Sequence, residues 1–141
     1  MTAGVLQLRQ GGIRSLRAPL GTAVAAVAAT AYVGLVDPNE SGHYPTCPFL
    51  ALTGYYCPGC GSLRAVHDLA HGHLTAALGR NVLTVVGIVL LAAIWVRWLR
   101  RQWEGRARTT VAPAWAMYLM LGVALAFWLV RNLPVGAALA P

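Results

Sequence analysis

The chain has 141 residues, 57% hydrophobic and 11% charged, against roughly 45–50% and about 25% in a soluble globular protein. That balance excludes an ordinary water-soluble core and fits a single domain partly dissolved in lipid. The formal charge of +7 rests on eleven Arg and no Lys, the habit of a GC-rich bacterial gene. These Arg are clustered and not interleaved with stacking aromatics, so a nucleic-acid surface is excluded as well.

A basic segment, 1–17, carries Arg9, Arg14 and Arg17 and leads into an uncharged run from Ala18 to Val36. A membrane-spanning helix needs ~20 apolar residues, and a cleaved signal peptide only about 7–15. The run is therefore expected to stay in the membrane as a first span, 18–36. A second span is expected over 81–99, its apolar stretch starting at Val82 and reaching Leu99 if Arg97 snorkels. A third is expected over 111–130, ending before Arg131. Trp95, Trp98, Trp115 and Trp128 suit interface anchoring or helix packing.

Basic residues lie mainly before the first span and in the loop 100–110 with its flanks, where Arg97, Arg100, Arg101, Arg106 and Arg108 cluster. The positive-inside rule then places the N-terminus and that loop in the cytoplasm. The connector 37–80 and the tail 131–141 are expected outside the inner (plasma) membrane. The expected fold is all-α and integral to the membrane: three transmembrane helices with a short amphipathic helix in the first, outer loop.

Within the connector, "DPNESGHYPTCPF" is rich in turn-forming residues. A helix over 62–71 follows, with Ser62 as its N-cap. Gly72 ends or kinks it, and a short turn at Leu74–Leu78 leads onward. Helical spacing puts Leu63, Val66, Ala70, Leu74 and Ala77 on an apolar face suited to the lipid headgroups or to the spans, and leaves Arg64, His67, Asp68 and His71 on another.

The stretch "GYYCPGCGSLRAVHDLAHGH" holds most of the chemistry. A CxxC in a tight turn can aim both sulfurs one way, and the following Gly frees the backbone to let turn amides bond thiolate. Zinc takes four ligands, with Zn–S about 2.3 Å. Cys57, Cys60 and Cys47 are three candidates, and His43 is a weak fourth. His67, seven residues past Cys60, falls about 10 Å further along a helix axis, so with His71, at i and i+4, it offers a separate metal or haem edge instead. Other uses of the same atoms remain open. Cys57 and Cys60 ahead of a helix resemble a thiol-disulfide exchange dithiol, although no βαβ pattern surrounds them. A structural disulfide suits an outward segment, but three cysteines leave one over. Haem attachment is excluded because Gly61, not His, follows Cys60.

Arg64 and Asp68, at i and i+4, form a helix-surface ion pair in the simplest reading. The sharper alternative turns Arg64 toward an anionic headgroup or substrate. Arg131 and Asn132 either end a helix by snorkelling or fold back to hydrogen-bond carbonyls of the Cys segment.

The run "CPFLALTGYYCPGCGSLRAVHDLAHGHLTAALGRNVL", with "RNLP" after the last span, resembles domain of unknown function family 2752, a group of small bacterial membrane proteins. The resemblance touches Cys47, Pro48, Thr53, Gly54, Cys57, Pro58, Gly59, Cys60, Gly61, Arg64, Ala65, His67, Gly72, Asn81, Arg131 and Asn132. The chain departs from the pattern at three places. Leu63 stands where Thr is usual. His73 replaces an Asp, which weakens the cap of the next helix. Asn81-Val82 replaces Asn-Pro, so the second span is expected to start straighter. The resemblance implies a topology and a motif, and no reaction.

Three functions follow as expectations. The first is a non-enzymatic membrane protein whose Cys47–Cys57–Cys60 cluster forms a disulfide or a zinc knuckle. It would present the loop to a membrane or extracytoplasmic partner, or to a second copy. The second is a thiol-disulfide oxidoreductase using Cys57 and Cys60. The third is an oligomeric transporter or lipid-binding subunit using Arg64 and Arg131. No cofactor is assigned, zinc being the candidate; the bilayer is the expected surroundings, and nucleic acid is not expected.

Overall fold

The computed structural model describes residues 13–40, 42–105 and 113–140, the side chains of 13–15 excepted. Arg9, Arg106, Arg108, the Arg14 side chain and the start of the expected third span therefore lie outside the described residues. The described chain is helical with no strand: α1 Ile13–Leu35, α2 Pro48–Thr53, α3 Ser62–Ala70, α4 Leu74–Trp103 and α5 Ala114–Arg131, followed by a 3-10 helix, Pro134–Leu139. Three of these, α1, α4 and α5, are long and apolar enough to cross a membrane. Their exposed Leu, Val, Ile and Met side chains suit contact with lipid tails.

α1 and α4 are joined by a polar stitch. Trp95 Nε1 donates to the Pro19 carbonyl at 3.0 Å and to Thr22 Oγ1 at 3.2 Å. The Thr22 hydroxyl also donates to the Pro19 carbonyl, at 2.8 Å. Trp95 thus acts as a packing residue whose N–H is satisfied by a neighbouring helix, as a partly buried indole requires.

α3 lies between α1 and α4. Its seam is Ala65 against Ala77 and Val85, with Leu69 at the edge. Small side chains allow that close approach. Of the apolar stripe, Ala77 is buried while Leu63 and Leu74 are exposed, and Ala65 and Asp68 are the α3 residues that turn inward. The Ala–Ala contact, with Asp68 beside Arg80, selects the rotation of α3, and Leu63 and Leu74 are left outside. The helix cap also differs. Gly61 is the N-cap, at φ +82°, a left-handed value that favours glycine. Ser62 is the first helical residue, and its hydroxyl pairs with that of Thr84 at 2.7 Å. Gly72, at φ +78°, ends the segment as expected.

α4 begins at Leu74, so the expected short turn is a full helical segment. The helix breaks at Asn81, where φ is −163° and ψ 97°. The straighter start expected without proline is therefore not observed. Asn81 Oδ1 accepts the Thr84 N–H at 3.0 Å, so Asn81 caps a new helix that starts at Val82. The side chain alone supplies the break that proline would have reinforced.

α5 is fastened at its C-terminal end. Past Arg131 the chain reverses through Asn132 N–H to Leu129 O at 3.2 Å and Leu133 N–H to Val130 O at 3.1 Å. The 3-10 helix then packs back on α5 and α4, and Gly136 is buried within it. A Cβ at Gly136 would collide with the Val130 carbonyl. Gly136→Ala is expected to lower the melting temperature in detergent, with a cost of about 1–3 kcal/mol. Gly87→Ala, where a Cβ meets nothing within 4 Å, is expected to leave it unchanged or raise it. Equal melting of both variants would remove the tail from the stabilising contacts.

Candidate metal centre

The connector folds around two turns. Cys47 precedes α2, a helix opened by Pro48 at its first turn and closed by Gly54 at φ +75°. The second turn is Cys57–Gly61, with Cys60 N–H donating to Cys57 O at 3.1 Å and Ser62 N–H to Gly59 O at 3.0 Å. α2 was missed in the sequence because six residues between turn formers carry no readable period. Phe49 of α2 sets its ring edge-on to Trp128 of α5, with centroids 6.3 Å apart.

These turns bring three sulfurs together. Cys47 and Cys57 Sγ are 3.5 Å apart, and Cys57 and Cys60 Sγ 3.1 Å. All three lie within 4.8 Å of one another. Cys60 is buried and the other two are partly exposed. The Cys57 N–H donates to Cys60 Sγ at 3.2 Å, the amide–sulfur bond expected of a Gly-terminated CxxC turn. The Leu50 amide N–H and the Cys57 sulfur hold the Cys47 thiol below its ordinary range. Burial, and then the Cys57 sulfur, push Cys60 up to about 12.

The opposite side of the turn presents carbonyls, and residues distant in sequence collect them. Arg131, 2% exposed, donates from Nη1 to Cys57 O at 3.0 Å and Cys60 O at 3.2 Å, with Pro58 O at 3.5 Å, and from Nη2 to Leu139 O at 3.0 Å. Its guanidinium lies over the Phe127 ring, 4.9 Å from the centroid, and 5.8 Å from that of Tyr56, adding cation–π attraction. Asn81, 1% exposed, donates to Pro58 O at 2.8 Å and Cys60 O at 3.0 Å. Asn132 pairs with the Tyr56 backbone in both directions, accepting from its N–H and donating to its carbonyl, each at 2.9 Å. Arg131 and Asn132 therefore fold back onto the Cys segment. Asn81 was noted in the sequence only as part of the family pattern. An Asn at the start of an apolar span was the one local sign of its role.

The remaining sequence candidates lie elsewhere. His43 is exposed beside Glu40, 3.9 Å away, and is outside the sulfur cluster. His67 faces α1: Nδ1 donates to Val33 O at 2.9 Å and Nε2 lies 3.8 Å from Asp37. His71 stacks near it, with ring centroids 4.4 Å apart, and its Nδ1 donates to the His67 carbonyl at 2.9 Å. The two imidazoles are neighbours, and His67 ties α3 to α1 through the Val33 carbonyl. Asp68 pairs with Arg80 at 3.6 Å, not with Arg64. The reason is that Asp68 points into the α3–α4 seam, while Arg64 is only half-buried.

The thiol environments predict an order of reactivity. In reduced, metal-free protein titrated from pH 7 to 9, Cys47 is expected to be alkylated at least ~10-fold faster than Cys60. The Cys60 rate should still be rising at the top of that range. Peptide mapping by mass spectrometry reads the order, and Cys60 reacting first would contradict this arrangement of sulfurs.

Residues 47–95 match the model of a family described as protein of unknown function (DUF2752). No curated protein and no solved structure matches the chain. The matched stretch holds all three cysteines, α3 and Asn81, whereas Arg131 and Asn132 lie beyond it. Over residues 47–95, from Cys47 into α4, this chain resembles the DUF2752 family.

Proposed function

We propose that Cys47, Cys57 and Cys60 bind one divalent, thiol-seeking metal ion, zinc first. The metal would hold the connector as a rigid, non-enzymatic platform on the outer surface of the inner membrane, where a protein partner docks. One observation carries this reading. A buried guanidinium, Arg131, bonds only carbonyl oxygens and forms no ion pair with a carboxylate among the described residues. Buried charges are ordinarily paired. The groups next to it able to carry the missing negative charge are the cysteines. Three thiolates with a divalent cation sum to one net negative charge, which Arg131 balances.

The donor set fits the ion. Thiolates are soft ligands suited to zinc. Sulfurs on a tetrahedron of Zn–S about 2.3 Å would sit slightly further apart than the 3.1 and 3.5 Å observed, a small outward movement for two partly exposed side chains. When bound, zinc would supply a cross-link between α2 and the Cys57–Gly61 turn and no redox chemistry.

The outward placement is supported by the Arg-rich N-terminal segment and α4–α5 loop. Thiol-disulfide exchange is the second reading, favoured by the short Cys57–Cys60 sulfur distance. A lipid-binding or transport role has less support, because Arg131 is already committed to four carbonyls. Of the two Arg that role would use, Arg64 remains for a headgroup.

Two experiments test the proposal. Elemental analysis of protein purified in mild detergent without chelator should find one zinc per chain, and three thiols should titrate in denaturant without reduction. No metal, with a Cys57–Cys60 disulfide, would shift the assignment to thiol exchange. No metal and three free thiols would exclude both. For placement, an impermeant thiol label on intact spheroplasts should mark Asn39→Cys and spare Gln102→Cys, and the reverse pattern would invert the orientation.

A further inference from the structure

The chain offers a metal three sulfurs, while zinc ordinarily takes four ligands, and three-ligand sites keep a position for an outside group. All remaining candidates are placed. The sequence has four His and four Asp or Glu besides the cysteines. His67 is engaged with Val33 and Asp37, and His71 with the His67 carbonyl. His73 lies beside His71. Asp68 is held by Arg80, and Glu104 caps the far end of α4. His43 and Glu40 face each other in solvent. None of these joins the sulfurs.

Burial sets the direction of approach. Cys60 and the carbonyl side of the turn are covered by Asn81 and Arg131, while Cys47 and Cys57 stay partly open. A fourth ligand therefore arrives over the Cys47–Cys57 edge. Charge sets its type. Three thiolates and a divalent ion leave one negative charge, which the single buried guanidinium balances. A fourth thiolate would add a second negative charge with no buried cation among the described residues to match it. A neutral donor keeps the balance, and juxtaposed like charges cost affinity.

We propose that the metal of this site takes its fourth ligand from outside the chain, and that this ligand is a neutral nitrogen donor of the imidazole class, as on a histidine of a docking partner. The inference rests on the metal reading above and extends it. It makes the metal part of the docking surface as well as a brace beneath it. Cys47 and Cys57 form the rim on which the partner's imidazole lands.

Cobalt(II) separates this inference from the reading beneath it. Full-length protein in detergent, stripped of metal and loaded with Co²⁺, should show sulfur-to-cobalt charge transfer, and its absence would defeat both. Given that band, added imidazole should shift the visible d–d bands saturably, in the wild type and in His43→Ala alike. 2-Mercaptoethanol at a pH where it is partly thiolate should bind at least about tenfold more weakly. Two results would overturn the imidazole inference while leaving the metal in place. One is a spectrum indifferent to imidazole but altered by His43→Ala, which would make His43 the fourth ligand. The other is thiolate binding as tight as imidazole.

Discussion

A guanidinium that is 2% exposed must find acceptors within the chain, and Arg131 finds them in the carbonyls of Cys57, Cys60 and Leu139. Breaking such a set leaves a charge in a poor solvent, a cost of several kcal/mol. The end of α5, the Cys57–Gly61 turn and the C-terminal 3-10 helix are therefore held as one unit. Ahead of Arg131, α5 exposes mainly Leu, Met and Val. Its position relative to the connector rests on this side chain, on Asn132 beside it and on the Phe49–Trp128 ring contact.

The same constraint orders the turn from behind. A CxxC turn has carbonyls on one side and sulfurs on the other, and an isolated loop would hydrate both. Here Arg131 and Asn81 draw the carbonyls of Cys57, Pro58 and Cys60 inward, and the sulfurs converge with Cys47. Asn81 links this to the membrane helix, because its side-chain oxygen caps the Val82 helix while its amide nitrogen holds the turn. The break in α4 and part of the hold on the Cys turn share one Asn. Helix capping, usually a local matter of about 1 kcal/mol, is used here for long-range positioning.

The three spans were legible because lipid leaves a plain mark: runs of apolar residues near the length a bilayer requires, bounded by Arg. The Cys47–Cys57–Cys60 grouping was also legible, since connector length and turn residues keep the three close. The rotation of α3 was not, because the apolar stripe of Leu63 and Val66 suits headgroups and spans alike. Only the contact of Ala65 with Ala77, set by how closely two backbones approach, decides it. The Asp68 partner was missed for the same reason: i,i+4 spacing pointed to Arg64, and burial in the seam selected Arg80. Arg131 could be read as a possible cover for the Cys carbonyls, but its spacing from Cys57 carries no period that would establish the contact.

The central claim is that a metal-bound thiolate cluster supplies the countercharge to Arg131. X-ray absorption at the zinc edge of protein purified without added metal tests it most directly. The account predicts three sulfur scatterers at about 2.3 Å and one lighter atom at about 2.0–2.1 Å. A first shell of nitrogen and oxygen alone, or protein that holds no zinc while remaining folded with Arg131 buried, would contradict it.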